Sequence, residues 1–210
     1  KSFFLNIEPD IIINAAAFTD VDGCEDKVEL SWDINSRSLE YVVEAVKDFS
    51  PLLVQVSTDY VFDGRDAPYR EDDTPNPEGF YGRSKLAAER IVRESSLDYI
   101  IARTQVLYGT GHKVKNNFAL WVINKLQSKE KIRVVYDQIG NPTYVDDLSE
   151  AIYRLIEAEE YGIFHISGKE KCNRYEFALA IADTFNLDKS LIEEATTPEL
   201  AQRAPRPMNS

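Results

Sequence analysis

Leu52-Leu53-Val54-Gln55-Val56-Ser57, running straight into Thr58-Asp59-Tyr60, decides the fold. A nearly continuous apolar run that stops at hydroxylated and acidic residues reads as a parallel strand buried on both faces, with a polar site at its C-terminal end. Ile11-Ile12-Ile13-Asn14 upstream and Tyr99-Ile100-Ile101-Ala102 downstream have the same character. Ile132-Arg133-Val134-Val135-Tyr136 and the shorter Gly162-Ile163-Phe164-His165-Ile166 add further strands. Apolar residues recur between them at helical spacing: Leu39, Val42, Val43 and Val46; Leu86, Ile91 and Val92; Phe118, Trp121, Val122 and Leu126; Leu148, Ile152, Leu155 and Ile156; Phe177, Ile181 and Phe185. Strand and helix in alternation predict βαβ units on a parallel sheet, an α/β fold.

The 210 residues match one ordinary domain with a small appendage. Asp and Glu (36) outnumber Lys and Arg (24) for a formal charge of −12, which argues against nucleic acid or an anionic membrane as partner. No apolar run reaches the ~20 residues of a membrane span, and residues 1–9 do not read as a signal peptide. Cys24 and Cys172 lie far apart, outside any Cys-x-x-Cys pair, and fit a reducing, cytoplasmic setting. No metal site is expected: His112 and His165 have no partner at ligand spacing, and Asp146-Asp147 reads as an N-cap pair. The acidic run 157–160 reads as a solvated helix end, and Trp32 and Trp121 as core or interface residues.

Parallel α/β sheets bind ligands beyond the C-terminal ends of their strands. There this chain carries Asn14-Ala15-Ala16-Ala17-Phe18-Thr19, Ser57-Thr58-Asp59-Tyr60 and Arg103-Thr104-Gln105, which offer space and hydrogen bonds to a flat ligand. Tyr81-Gly82-Arg83-Ser84-Lys85 opens a helix after the long Pro- and Asp-rich loop 65–79, with Tyr and Lys on one face. An ammonium near a phenol lowers its pKa, so Tyr81 is a candidate general acid, Lys85 its tuning group and grip on a cofactor ribose, and Thr58 the polarising hydroxyl for a carbonyl. The Tyr/Lys spacing alone is weak evidence in a chain with 11 Tyr; its place after a strand ending in Ser57-Thr58 strengthens it.

Five stretches together resemble the dTDP-4-dehydrorhamnose reductase family of extended short-chain dehydrogenase/reductases. They are Pro9 to Asp22 (PDIIINAAAFTDVD), Ser57 to Gly64 (STDYVFDG), Tyr81 to Glu89 (YGRSKLAAE), Asn117-Phe118, and Asp137 to Thr143 (DQIGNPT). The resemblance implies a Rossmann-like parallel sheet lacking its first βαβ units. Residues 1–110 would be the remainder of the dinucleotide-binding domain. Residues 111–210 would complete the sheet (about 131–137 and 146–158) and form a smaller sugar-nucleotide-binding part. It implies hydride transfer from NADPH or NADH to the C4 keto carbon of dTDP-4-dehydro-L-rhamnose, giving dTDP-L-rhamnose. Ala15, Ala16, Ala17, Val56, Tyr81 and Lys85 would then line the cofactor, and Thr58, Asp59 and Val106 would meet the sugar.

The chain departs from that pattern in two places. The glycine-rich pyrophosphate turn of the family is not in this sequence, so that roughly the first fifty family residues are expected to be missing and the 210 residues alone are expected to bind cofactor weakly and to be inactive. After Arg103-Thr104 the family carries a small residue and a tryptophan, where this chain has Gln105-Val106, which puts the sugar's identity in question. Two alternatives stay open: a catalytically silent dinucleotide-binding subunit, like the regulatory subunit of methionine adenosyltransferase, and another sugar-nucleotide 4-ketoreductase or epimerase. The oligomeric state is undecided, with a homodimer as one option.

Overall fold

The strands of the central sheet form where apolar side chains fill both faces of the pleat. A computed structural model of the chain describes residues 2–111, 114 and 116–210; His112 lies outside them. In order these are α1 (Ser2–Ile7), β1 (Ile11–Asn14), α2 (Val21–Asp26), α3 (Val28–Trp32), a π-helical turn (Asp33–Arg37), α4 (Ser38–Val46), β2 (Leu52–Thr58), α5 (Phe80–Glu94), β3 (Tyr99–Thr104) and β4 (Leu107–Tyr108). Then follow α6 (Phe118–Gln127), β5 (Ile132–Val135), β6 (Ile139–Gly140), β7 (Thr143–Tyr144), α7 (Val145–Glu157), β8 (Gly162–His165), β9 (Cys172–Asn173), α8 (Arg174–Thr184), β10 (Ile192–Ala195) and α9 (Thr197–Leu200).

The main sheet is parallel in the order β1-β2-β3-β8. On one face Leu39 and Val46 of α4 and Ala88 and Val92 of α5 pack on Leu53 and Ile101. On the other, Leu148 and Ile152 of α7 pack on Val54, Ile100 and Ala102. Helices on both faces explain why β2 and β3 lack polar alternation. The expectation of burial on both faces fails for β1. It lies at one edge of the sheet, and Ile11 and Ile13, on the face opposite Ile12, are 42% and 54% exposed because α7 does not reach them.

A second correction concerns residues 131–137. Ile132–Val135 does not extend the main sheet but pairs in parallel with Ile192–Ala195 in a separate two-stranded sheet. Its second residue, Arg133, is exposed and ion-paired with Glu199 at 2.8 Å, a pattern suited to a half-solvated strand rather than a doubly covered one. Gly162–His165 takes the place beside β3 instead. Around β5 and β10, Val122 and Leu126 of α6 and Ala178 and Ile181 of α8 make a second core.

Asp146 and Asp147 also differ from expectation. The cap of α7 is Tyr144, held extended by its pairing with Tyr108, so both aspartates fall in the first helical turn, where the helix dipole favours negative charge. Among the described residues no helix is long and apolar enough to cross a membrane, and no group of three or more His, Cys, Asp or Glu could hold a metal ion.

Candidate active site

β2 and α5 build the site between them. Thr58 ends β2, buried, with its hydroxyl donating to Asp59 Oδ1 at 2.9 Å and accepting from the Tyr60 N–H at 3.2 Å. Tyr81 sits in the first turn of α5, with its phenol beside Thr58 and its ring meeting Tyr60 edge-on at 5.4 Å. One turn on, Lys85 is 3% exposed and donates to the Val56 carbonyl at 2.6 Å. The end of β2 and the start of α5 thus place Thr58, Tyr81 and Lys85 at one junction of the fold, with Lys85 seated on Val56, two residues before Thr58.

The electrostatics differ from expectation. Lys85, whose ammonium rests on the Val56 carbonyl, is not among the leading influences on the phenol. Burial, with the negative charge of Asp59 beside it, pushes Tyr81 above the ordinary tyrosine value of 10. The phenol therefore keeps its proton at neutral pH. Burial raises the Asp59 carboxyl too, opposed by hydrogen bonds from Ser210 (Oγ to Oδ2, 2.6 Å) and Thr58. It depresses Lys85 from 10.5 to about 8, with Glu89 opposing.

The close fit of α5 on β2 depends on Gly82. A Cβ there would fall inside the van der Waals radius of the Tyr60 carbonyl oxygen. Gly82→Ala is expected to push the first turn of α5 off the Thr58–Tyr60 segment, lowering stability by about 1–3 kcal/mol. Thermal unfolding and turnover of this variant should both fall; a variant with unchanged melting and unchanged rate would show that the contact is not required.

Asn35 was not legible in the sequence. It lies buried in the π-helical turn, a feature frequent at functional sites. Its Oδ1 accepts from the Phe18 N–H at 2.7 Å, and its Nδ2 donates to the Phe18 carbonyl at 3.2 Å and to Ser84 Oγ at 2.9 Å. Ser84 Oγ in turn donates to the Tyr81 carbonyl at 2.8 Å. One amide thus joins the segment after Ala15–Ala17 to the helix that carries Tyr81. Ala15 and Ala16 are exposed beyond the end of β1, and Ala17 and Val56 are half-buried.

Asp59 faces a cleft lined by Tyr60, Val106, Gln138 and Arg174, with Pro207 and Ser210 from the C-terminal segment. Val106 has a φ of 47°. For a β-branched residue that is a strained conformation costing about 1–3 kcal/mol, and such strain concentrates at functional sites. Beside the cleft, a cavity of about 220 Å³ is lined by Phe62, Tyr69, Arg103, Thr104 and His165. Arg103 there is bound to Glu89 through Nε at 3.0 Å and Nη2 at 2.7 Å, and Ser57 donates to Glu89 at 2.5 Å. Arg103 Nη1 also stands 3.3 Å from His165 Nε2, so that His165 belongs to this buried network.

The arrangement fits a nicotinamide cofactor at its ribose end. Small exposed alanines leave backbone approachable at the end of β1, and the Lys85 ammonium has three N–H donors, one of which is taken by Val56.

The whole chain, residues 1–210, matches the family model described as RmlD substrate binding domain. Over 208 residues the chain is 39% identical to the spore coat polysaccharide biosynthesis protein SpsK of Bacillus subtilis, spanning 99% of this chain and 72% of that protein. It is 34% identical over 215 residues to methionine adenosyltransferase 2 subunit beta of Xenopus tropicalis, spanning 100% of this chain and 64% of that one. Among solved structures, the dTDP-4-dehydrorhamnose reductase of Bacillus anthracis in complex with NADP superposes with a TM-score of 0.93 at 40% identity, over 99% of this chain and 73% of that one.

Proposed function

Because the chain belongs to the RmlD substrate binding domain family, we propose that it carries the carbonyl-reducing site of a nucleotide-sugar 4-ketoreductase, converting dTDP-4-dehydro-L-rhamnose to dTDP-L-rhamnose with NADPH or NADH. The observation that carries this reading is the convergence of Thr58, Tyr81 and Lys85 at one strand end, with a phenol that keeps its proton at neutral pH. The cofactor supplies the hydride that forms the new C–H bond at C4. Tyr81 gives its proton to the C4 oxygen as negative charge develops there, and Thr58 turns its hydroxyl from Asp59 to donate a hydrogen bond to the same oxygen. Asp59 and Val106 meet the sugar from the cleft. Ala15, Ala16, Ala17 and Val56 line the nicotinamide half of the cofactor, and Lys85 holds its ribose. In this reading residues 1–110 serve the dinucleotide and most of 111–210 the sugar nucleotide.

Product analysis of the full-length protein with a dTDP-4-keto-6-deoxyhexose and NADPH tests the proposal. The expected result is stoichiometric oxidation of NADPH and a reduced sugar. Similarity to a methionine adenosyltransferase subunit favours a second reading, a silent dinucleotide-binding subunit. A folded protein that binds NADPH but consumes none with any 4-keto sugar nucleotide would establish that reading instead.

The depressed Lys85 pKa gives a pH prediction with two opposite signs. If the ammonium holds the ribose, NADPH affinity falls as pH rises through about 8, where Lys85 loses its proton in the free protein. Stability moves the other way. Between about 8 and 10.5 the unfolded chain holds the lysine proton and the folded chain does not, so the contribution of Lys85 makes stability rise with pH across that window. Fluorescence titrations and denaturant melts of the parent and of Lys85→Met check both; the variant should lose both dependences.

A further inference from the structure

The seat of Lys85 is a carbonyl that the sheet leaves unpaired. Leu52 N–H bonds to the Asp10 carbonyl and Leu53 N–H to that of Asp98, so that even-numbered residues of β2 turn their backbone polar groups toward β1 and odd-numbered ones toward β3. Val56 therefore faces the side of β1. The ladder on that side stops at the pair Asn14–Gln55, one residue short of it. A carbonyl shielded from water beyond the end of a ladder, on a half-buried residue, takes other donors. It has two: Lys85 Nζ at 2.6 Å and Gln55 Nε2 at 2.8 Å. Gln55 is fully buried, and its Oε1 accepts from Asn14 Nδ2 at 2.7 Å. Asn14 Oδ1 accepts from the Ala16 N–H at 3.3 Å. An unbroken chain of hydrogen bonds therefore runs from the alanine turn through two amides to the carbonyl that holds the ammonium.

We propose that Gln55, held in place by Asn14, is a positioning residue for Lys85: it fixes the Val56 carbonyl, and with it the ammonium, relative to the Ala15–Ala17 turn. The proposal rests on the reading that Lys85 and this turn hold the cofactor. An apolar residue at position 55 would fill the same buried space on one face of β2 but would leave the carbonyl to Lys85 alone and Asn14 without its acceptor.

A double-mutant cycle on NADPH binding tests it in the intact protein that carries this chain, with Gln55→Met, Lys85→Ala and the double variant. Gln55→Met should weaken NADPH binding about tenfold, the scale of a lost hydrogen bond to a charged site. In the Lys85→Ala background it should change the affinity by less than about twofold. Equal effects in the two backgrounds, or no effect of Gln55→Met, would overturn the proposal. Should Gln55→Met not fold, Asn14→Ala, in a half-buried position at the sheet edge, runs the same cycle with an expected loss of about threefold. A protein that binds NADPH but reduces no 4-keto sugar defeats the reaction reading, while the binding cycle still decides the role of Gln55. A protein that binds neither NADPH nor NADH defeats both.

Discussion

Tyr81→Phe should lower turnover about 10²–10⁴-fold while leaving NADPH affinity within about twofold of the parent. The substitution removes one oxygen from a ring that stays packed edge-on against Tyr60, so the helix start and the Lys85 seat are undisturbed. What disappears is the proton donor. The buried phenol beside Asp59 is a weaker acid than a free one, which suits it to hold a proton until an alkoxide, a much stronger base, forms within reach. The loss should fall on kcat more than on KM, because Tyr81 strengthens its interaction only as charge develops. Steady-state kinetics alongside fluorescence titration separate the two. Near-parental turnover in the variant would remove Tyr81 from the role of acid.

The largest stability effect is expected at Glu89. Its side chain and that of Arg103 are 1% and 3% exposed, joined at 2.7 Å. Glu89→Ala leaves a guanidinium buried without its counter-charge and strips the Ser57 hydroxyl of its acceptor. Breaking such a pair from one side costs about 3–5 kcal/mol. In a chain of this size that lowers the thermal midpoint by about 10 °C. Activity should fall with it, since Ser57 precedes Thr58 and Glu89 lies one turn beyond Lys85, so that the Ser57–Glu89 hydrogen bond ties β2 to α5. The remaining donor of Arg103, which reaches the Glu71 carbonyl at 3.4 Å, is too weak to compensate. Replacing both partners with apolar residues of similar volume should recover most of the loss, because no uncompensated charge then remains. Thermal melts of the single and double variants decide this; a single variant as stable as the parent would show that Arg103 finds another partner.

Much of the fold was legible because burial on both faces of a strand leaves a direct trace, an apolar run without alternation, as in Leu52–Val56 and Tyr99–Ala102. Ile132–Val135 misled where that trace was diluted: a single arginine in the run marks a strand with one wet face, and nothing local says which sheet receives it. The Tyr81/Lys85 spacing and the hydroxyl of Thr58 could likewise be read along the chain, because a helical turn and a strand end fix where such side chains point.

The direction of the Tyr81 shift could not be read that way. Sequence supplies which charges exist, but a pKa depends on which of them lie within a few ångströms and on how much water is excluded. Only the packed structure shows the Lys85 ammonium resting on the Val56 carbonyl while the charge of Asp59 acts on the buried phenol. Asn35, Gln55 and Gly82 belong to the same class: two amides and a missing methyl whose importance comes from backbone groups distant in the chain. The residue types and their periodicity determined the sheet, its helices and the chemical groups at its edge. Tertiary packing alone decided how those groups are charged and held, because desolvation and hydrogen-bond geometry are properties of neighbours in space.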